Sequence, residues 1–227
     1  MNPRTGQHPY TFKKRISVPV TMKYLLYLPE PYQTTKKSWP LMLYLHGAGE
    51  RGEDLDRVKL HGPPKLIAEY NRQFPFIIVS PQCPEGEYWS SDISIIRLNI
   101  LLNDIIARYR VDKSRIYGTG LSMGGFGTWR MAIEFPNRFA AIAPICGGGI
   151  PEKAYRIAKL PVWVFHGAKD KVVPIQKSIE MVQALKTVGN KVRFTIYPNA
   201  GHDSWTKTYN NPELYNWLLA HQLKNHK

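Results

Sequence analysis

The pentapeptide Gly120-Leu121-Ser122-Met123-Gly124 places a serine between two glycines, each two residues away. Residues 115–119 before it are of the β type and residues 123–135 after it are typical of a helix, so Ser122 is expected on a tight strand-to-helix turn. The flanking glycines let the two backbones approach closely. A serine beside a helix N-terminus, which favours negative charge, is a candidate nucleophile; the alternative is an incidental serine in a glycine-rich turn.

A serine hydroxyl attacks efficiently only when a neighbouring base takes its proton. Two later strands end in polar loops, residues 166–174 and 199–203, which carry Asp170 and His202. Because the carboxyl ends of parallel strands meet at one edge of the sheet, both side chains are expected to converge on Ser122. The order serine, acid, histidine is the one found with a G-x-S-x-G nucleophile. We therefore predict acyl transfer with Ser122 as nucleophile, His202 as base and Asp170 as the acid that orients the base.

Other side chains compete for two of these roles. Asp203 is a second candidate for the acid, but it is adjacent to His202 and would have trouble reaching a ring that faces Ser122. His46 and His166 precede glycines at strand ends, where they are expected to brace their loops. The other four histidines lack a strand-end setting after the last acid.

Acyl transfer also requires donors for the oxyanion of the tetrahedral intermediate. The backbone N–H of Met123, directly after the nucleophile, is one predicted donor. The other is expected from the glycine-rich loop 46–52, which follows the apolar strand 41–45, and Ala48 is our choice. A simple flexible turn is the alternative interpretation of that loop.

Short apolar runs and helical runs alternate along the chain, which favours an α/β fold with a mostly parallel central sheet and helices on both faces. No repeat or linker divides the pattern, so residues 1–227 are predicted to form one catalytic domain with a polar N-terminal tail, residues 1–10. The predicted strands are 11–18 and 22–28, joined closely enough to be antiparallel, and then 41–45, 76–80, 115–119, 139–145, 162–165 and 192–197. The predicted helices are 93–109, with Ser91 or Asp92 as N-cap, 123–135, 175–188, with Gly189 as C-cap, and 212–223.

The chain contains 31 Lys and Arg against 17 Asp and Glu, a formal net charge of +14. The cations are scattered, so a solvated basic surface is favoured over a nucleic-acid site, while attraction to acidic polymers stays open. The apolar runs are too short for membrane insertion. The polar N-terminus predicts no signal peptide in this chain. A signal removed beforehand would leave the same sequence, so the protein is expected to be soluble, and a secreted or periplasmic location is left open. The oligomeric state is also left open.

No cofactor and no metal are predicted. Cys83 and Cys146 lack metal-ligand spacing and are expected to be small buried residues with free thiols. Gly118-x-Gly120 is followed by Met123 where a dinucleotide-binding motif has its third glycine. The loop 47–52 leads to a glutamate rather than to the lysine of a phosphate-binding loop.

The chain resembles serine esterases of the α/β-hydrolase superfamily in six segments: LHGAGERG, SPQCP, GTGLSMGGFGTW, PICGGG, HGAKDKVVP and NAGHDSW. It is similar to the phospholipase/carboxylesterase, dienelactone hydrolase and prolyl-oligopeptidase-like branches, and to feruloyl and acetylxylan esterase catalytic domains. The resemblance runs from the strand at Tyr24 to the last helix. It implies the α/β-hydrolase fold, the same catalytic triad, and the same two oxyanion donors as the residues themselves predict.

Two departures from these families bear on the activity. Dienelactone hydrolases have a cysteine where this chain has Ser122, so lactone ring opening by that route is not expected. Prolyl oligopeptidases carry a propeller domain, for which 227 residues leave no room. Peptidase activity is therefore the weaker alternative, and a non-catalytic basic binding module on the same fold is the other.

Two tryptophans are candidates for substrate binding: Trp89, after the PQCP segment, and Trp205, three residues past His202. Aromatic faces suit sugar rings and hydroxycinnamoyl groups, although both tryptophans are equally expected simply to pack their loops. The short connection 145–162 predicts no large lid. Together these features predict a serine carboxylesterase for short-chain or hydroxycinnamoyl esters, with small-molecule or plant polysaccharide substrates.

Overall fold

The central element is a seven-stranded sheet with the strand order β1-β3-β2-β4-β5-β6-β7. The structure, a computed structural model, describes residues 5, 7–14, 17 and 19–223. All neighbouring strands are parallel except β1, which runs antiparallel to β3 with Tyr24 opposite Pro81. The strands are β1 Tyr24–Tyr27, β2 Trp39–Leu45, β3 Ile77–Pro81, β4 Val111–Leu121, β5 Ala141–Ile145, β6 Trp163–Gly167 and β7 Arg193–Tyr197.

Helices cover both faces of this sheet, as the sequence predicts. The α-helices are α1 Gly62–Tyr70, α2 Asp92–Arg108, α3 Met123–Glu134, α4 Gln176–Thr187, α5 Trp205–Asn210 and α6 Pro212–Leu219. Buried side chains of α2, α3 and α4 belong to one apolar cluster, and those of α1, α5 and α6 belong to a second. The fold is therefore the predicted α/β-hydrolase architecture.

Strand β2 explains why two clusters form. All seven of its residues are buried, and successive side chains point to opposite faces of the sheet. Leu41, Leu43 and Leu45 join the first cluster, whereas Met42 and Tyr44 join the second. A continuous apolar run of this kind is typical of a parallel strand covered on both faces.

The prediction of two antiparallel N-terminal strands is wrong in one respect. A single strand, β1, supplies the antiparallel pairing, and among the described residues of 11–18 none lies in a strand. Residues 11–14 are exposed, with Phe12 at 88%. Lys13 and Lys14 follow Phe12, so the segment lacks the alternation that buries one face of a strand. Within the predicted N-terminal tail, residues 5 and 7–10 are described and form no helix or strand.

The helix predictions differ from the structure mainly after β7. The predicted helix 212–223 is α6, which ends earlier, at Leu219, and the short helix α5 that precedes it was not predicted. Beyond Ala220 the chain turns back so that Leu223 N–H bonds the Ser114 carbonyl. Helix α1 was not predicted, although Pro63 and Pro64 at its start are a recognised helix N-terminal signal. The predicted N-cap Ser91 does accept a hydrogen bond from the Ser94 N–H.

The connection between β5 and β6 is short, in agreement with the sequence. It contains a 3-10 helix, Pro151–Ile157, whose Ala154 and Ile157 are packed into the apolar cluster beneath it. No helix in the described part of the chain combines the length and apolar character needed to cross a membrane. The carboxyl edge of the sheet is therefore not covered by an inserted domain at this connection.

Cys83 and Cys146 are both free and fully buried, as predicted. They follow β3 and β5, which are separated in the sheet by β2 and β4. Burial raises the pKa of each thiol to about 12, so both are protonated and unreactive near neutral pH.

We expect titration with a thiol reagent under denaturing, non-reducing conditions to find two free thiols per chain. The native protein should react slowly, because both sulfur atoms are buried and protonated. Recovery of no thiol in denaturant would contradict the separation of these cysteines in the sheet.

Candidate active site

Ser122 occupies the turn between β4 and α3, and its backbone is strained there. Its φ of 51° and ψ of −116° lie outside the regions that a non-glycine residue normally adopts. The conformation is held by backbone hydrogen bonds, from Ser122 N–H to the Ile145 carbonyl at 2.9 Å and from Phe126 N–H to the Ser122 carbonyl at 3.1 Å. Stored strain of this kind is characteristic of functional positions.

Two glycines make the turn possible. A Cβ on Gly120 would lie 2.5 Å from the Gly124 carbonyl oxygen. A Cβ on Gly124 would lie 2.0 Å from the Leu45 carbonyl oxygen, so the start of α3 touches the end of β2. Any larger residue at either position would push apart the elements that carry the serine and the loop after β2.

His202, on the loop after β7, lies between Ser122 and Asp170. Its Nε2 is 3.0 Å from Ser122 Oγ, and its Nδ1 is 2.8 Å from Asp170 Oδ2. The sequence predicted that three loops would bring these side chains to one edge of the sheet, and the structure places them within hydrogen-bonding distance of one another. Their catalytic roles stay a prediction. The geometry defines it by pairing Ser122 Oγ with His202 Nε2 and Asp170 with His202 Nδ1.

The Asp170 carboxylate is shielded and fully used as an acceptor. Its Oδ1 accepts the N–H groups of Val172 and Val173, both at 2.9 Å, and its Oδ2 is 3.1 Å from His166 Nε2 as well as close to His202. Burial by itself would raise the pKa of Asp170, but the hydrogen bonds from His202, Val173 and Val172 outweigh it and hold the pKa below its ordinary value. The carboxylate is therefore ionised at neutral pH.

Asp203 lies in a different environment. Its two carboxylate oxygens accept the Thr206 N–H and the Thr206 hydroxyl, each at 2.9 Å, which tie down the start of α5. Its side chain is thus directed away from the ring of its neighbour, His202. The geometry favours Asp170 as the acid.

Two hydrogen bonds hold the loop after β2 at Gly47, one through its N–H and one through its carbonyl. Gly47 N–H donates to Glu50 Oε2 at 2.7 Å, and the Gly47 carbonyl accepts from His46 Nδ1 at 2.6 Å. The Gly47 carbonyl and the Ala48 N–H belong to one planar trans peptide and point in opposite directions. The orientation of the Ala48 N–H is therefore set by His46.

His46 can hold this position because its tautomer is fixed. Nδ1 donates to a carbonyl, so Nε2 is the acceptor, and it takes the Cys83 N–H at 2.9 Å. Burial is the main reason that the pKa of His46 falls to about 4, so the ring is neutral near neutral pH. Among the described residues, the N–H groups of Ala48 and Met123 donate no hydrogen bond to the protein, as expected of oxyanion donors.

The two predicted aromatic contacts differ in outcome. Trp89 is fully buried, with its Nε1 donating to the His46 carbonyl at 3.1 Å and its ring 5.1 Å from that of His46. Trp89 supports the loop after β2 from inside the protein, and its ring is not accessible to a substrate. Its predicted role as a substrate-binding residue is therefore wrong. Trp205 is partly exposed, and its ring lies 5.1 Å from His202 and 5.4 Å from His61.

One group of side chains has metal-ligand proximity. Ligand atoms of Cys146, Asp170 and His202 lie within 4.8 Å of one another, and the described residues contain no second group of this kind. However, Asp170 and His202 are bonded to each other, and the Cys146 thiol is buried and protonated. The arrangement suits proton transfer better than cation binding.

Sequence reasoning missed Glu50 and Ser178. Glu50 is a buried carboxylate that holds the Gly47 N–H, and Ser178 is a buried hydroxyl on α4, 2.8 Å from His166 Nδ1. The available signal for Glu50 was a single acidic residue inside the glycine-rich loop 46–52. Nothing in the sequence near Ser178 marks it, because its partner is twelve residues away across a strand-to-helix connection.

The mostly parallel seven-stranded sheet, with a strained serine between β4 and α3 and an aligned histidine and aspartate, defines an α/β-hydrolase. The chain belongs to the dienelactone hydrolase family, whose model matches residues 95–216, more than half of the chain. The match includes Ser122, Asp170 and His202. It ends beyond α5, so it covers most of the elements that build the site.

Esterases are among the similar proteins. A thermostable esterase of known structure is 34% identical with a TM-score of 0.78, and the alignment covers 88% of this chain and 59% of that one. The bifunctional acetylxylan esterase/xylanase of Neocallimastix patriciarum is 26% identical over 61% of this chain and 20% of its own length. The endo-1,4-beta-xylanase/feruloyl esterase of Xylanibacter ruminicola is 24% identical over 87% and 26%, respectively. The chain spans less than half the length of the curated relatives it matches.

We expect Asp170→Asn to lower kcat for ester hydrolysis by about 10⁴-fold, because His202 loses the partner that fixes its tautomer. The matched change Asp203→Asn should stay within about threefold of wild type, since Asp203 only caps α5. Steady-state kinetics on one chromogenic ester, with circular dichroism to verify folding, measures both. A larger loss for Asp203→Asn would make Asp203 the acid.

Proposed function

We propose that the protein is a serine carboxylesterase with Ser122 as nucleophile, His202 as base and acid in turn, and Asp170 as the group that orients His202. The observation that carries this proposal is the continuous row of hydrogen bonds, 3.0 Å from His202 Nε2 to Ser122 Oγ and 2.8 Å from His202 Nδ1 to Asp170 Oδ2. The first distance is that of a nucleophile in contact with its base, and the second is that of a base held by its orienting group.

Each half of the reaction uses the same groups. His202 Nε2 takes the Ser122 proton as Oγ attacks the ester carbonyl, and the N–H groups of Ala48 and Met123 stabilise the oxyanion. The alkoxide leaves with the proton from His202, which gives the acyl-enzyme. Water then attacks the acyl carbon while His202 takes its proton, and Ser122 leaves with that proton restored.

The strain and the loop contacts support this cycle. The Ser122 turn exposes Oγ to the ring of His202 while the Met123 N–H stands at the start of α3, where helix N-termini favour negative charge. A Cβ on Gly47 would lie 2.7 Å from the Leu121 side chain, so the loop that carries Ala48 is adjacent to the nucleophile turn. Two donors fixed before the substrate arrives need no reorganisation in the transition state.

For the acyl group, we propose short chains or a flat hydroxycinnamoyl group. The β5–β6 connection contributes no lid, and the partly exposed Trp205 offers an aromatic surface beside His202. A long acyl chain contributes about 0.8 kcal/mol per CH₂ only where a groove removes it from water. The names of the fungal and bacterial relatives, acetylxylan esterase and feruloyl esterase, support esters on plant polysaccharide.

For the alcohol group, we propose an acidic polysaccharide in a groove beyond Trp205. The groove has a volume of about 430 Å³. It is lined by α1 with the residues on either side of that helix, and by α5; the lining includes His61, Lys65, Tyr70 and Arg72. None of its described lining residues is acidic, although Glu69 lies 3.7 Å from Lys65 Nζ. His61 lines the groove and contacts Trp205, and Trp205 contacts His202. The ring of Trp205 therefore lies between the groove and the base.

We expect kcat/KM along a p-nitrophenyl ester series to be highest for acetyl and to fall by butyryl, with methyl ferulate also cleaved. Ser122→Ala should lose more than 10³-fold on each substrate that wild type cleaves, because the oxyanion donors alone give little turnover (about 10³–10⁴ over water). Labelling of wild type by a fluorophosphonate, and its loss in Ser122→Ala, identifies the nucleophile independently of substrate choice.

Three results would overturn the proposed function or part of it. Ser122→Ala activity above a tenth of wild type would remove the nucleophile. A rate maximum at octanoyl or longer would reveal an acyl groove and indicate a lipase or thioesterase. Cleavage of peptidyl amides with no ester turnover would favour the peptidase alternative.

We expect Lys65→Gln to lower kcat/KM about three- to fivefold on acylated xylo-oligosaccharides that carry a uronic acid, because one partly exposed charge contributes up to about 1 kcal/mol. Neutral oligosaccharides with the same acyl group should be unaffected. Lys113→Gln, in a depression lined by residues of α2 and β4, is the matched control. Since exposed charges are screened by salt, 0.5 M NaCl should remove the preference. An equal effect of both lysine variants would contradict a specific groove.

A further inference from the structure

A second histidine, which is buried, contacts the same oxygen of the Asp170 carboxylate as His202. His166, in β6, has no exposed surface, and its Nε2 lies 3.1 Å from Asp170 Oδ2 and 2.9 Å from the Val173 carbonyl oxygen. The reaction described above does not use this ring. Its Nδ1 lies 2.8 Å from the hydroxyl of Ser178, a buried residue of α4.

The hydrogen-bond partners determine which nitrogen of His166 carries the proton. Nε2 faces two acceptors, a carboxylate and a carbonyl, so it must carry a hydrogen. Burial lowers the pKa of His166 in spite of the Val173 carbonyl and Asp170, so the ring is neutral. Nδ1 is then an acceptor, so the Ser178 hydroxyl shares its single hydrogen between His166 Nδ1 and the Gly147 carbonyl, which accepts at 3.0 Å.

Oδ2 of Asp170 is thus shared by two histidines of different function. His202 lies on the loop after β7 and is partly exposed, whereas His166 is buried in β6 and bonded to Ser178 of α4. A carboxylate oxygen that already accepts one N–H has less electron density to give a second donor. The His166 contact therefore affects both the direction of the carboxylate and how strongly it attracts the proton of its other partner.

We propose that His166, held by Ser178, is a positioning residue for the Asp170–His202 pair: it fixes Oδ2 of Asp170 and limits the basicity that Asp170 confers on His202. This inference rests on the proposed function for its kinetic test, because only then is His202 the base. Without the His166 N–H, the carboxylate would bind the His202 Nδ1 proton more strongly and would also be free to turn.

Other charged and titratable groups surround the pair and stay unchanged in the test. The groups on neighbouring segments are Cys146 after β5, Asp203 beside His202, Lys169 and Lys171 on the loop of Asp170, and Lys177 and Glu180 on α4. Lys169 Nζ is bonded to Asn199, and Lys177 is 3.8 Å from Glu180. Among these residues, none donates to Asp170, whose four contacts come from His202, His166, Val172 and Val173.

The test compares His166→Met, which removes the donor at similar volume, with His166→Gln, whose amide N–H can reach Asp170. On p-nitrophenyl acetate we expect His166→Met to lose about ten- to a hundredfold in kcat with KM little changed. The acidic limb of its kcat/KM profile should move to higher pH. His166→Gln should recover most of the rate and the wild-type limb, and Ser178→Ala should move the limb in the same direction by a smaller amount.

Asn190→Ala is the control for a loss of stability alone. Asn190 is a buried amide that bonds the carbonyls of Ile157, Ala158 and Leu160, away from the site. Its replacement should lower the thermal midpoint without moving the acidic limb of the kcat/KM profile.

A second readout needs no substrate: the low-field proton resonance of the His202–Asp170 hydrogen bond, assigned by its loss in His202→Gln, should move downfield in His166→Met.

The outcomes separate the two proposals. If wild type hydrolyses no ester, the proposed function fails, and the proton resonance still decides the role of His166. If wild type is active but His166→Met keeps the wild-type limb and resonance, or if His166→Gln is no better than His166→Met, His166 has only a packing role and the positioning proposal is wrong.

Discussion

The contact between the start of α3 and the end of β2 sets the distances in the rest of the site. A Cβ on Gly124 would lie 2.0 Å from the Leu45 carbonyl oxygen, which leaves no space for any side chain. Because the serine precedes α3 and the candidate oxyanion loop follows β2, this one backbone contact fixes the nucleophile relative to Ala48. The strain at Ser122 is tolerated because parallel pairing with β2 and β5 holds β4 before the turn, and the contact of Gly124 with Leu45 holds the start of α3 after it.

Around that contact, buried polar groups of the protein determine the direction of each functional atom. His46 and Glu50 hold the Gly47 peptide, and Val172 and Val173 with two histidines hold the Asp170 carboxylate. Every one of these groups is hydrogen-bonded, as buried polar groups must be if their desolvation is to be offset. The geometry of the site is therefore present before substrate binds, which is the condition for electrostatic stabilisation of a transition state.

The open carboxyl edge is the second consequence of the fold. The β5–β6 connection is packed into the apolar cluster by Ala154 and Ile157, and Trp205 lies beside His202. The proposed acidic polymer substrate depends on the basic groove beyond Trp205 and on the net charge of +14.

The sequence by itself determined the parts of this protein that depend on local order. The alternation of apolar runs with helical runs predicted the parallel sheet, because strand and helix periods differ and both faces of the sheet must be covered. Ser122, Asp170 and His202 were predicted to meet because each follows a strand, and parallel strands end at one edge. The described residues of the predicted strand 11–18 form no strand, because an apolar residue such as Phe12 needs a neighbouring surface to bury it, which local sequence does not reveal.

Only the tertiary structure decided the contacts that join distant segments. Trp89 faces the core rather than the cleft because Gly127 leaves room for it beneath the loop, and a sequence motif does not state which side of a loop is exposed. Ser178 meets His166 because α4 packs against β6, a relation set by packing of the whole layer. The division follows from range: propensity and periodicity act over a few residues, whereas the orientation of a buried polar side chain depends on every element that surrounds it.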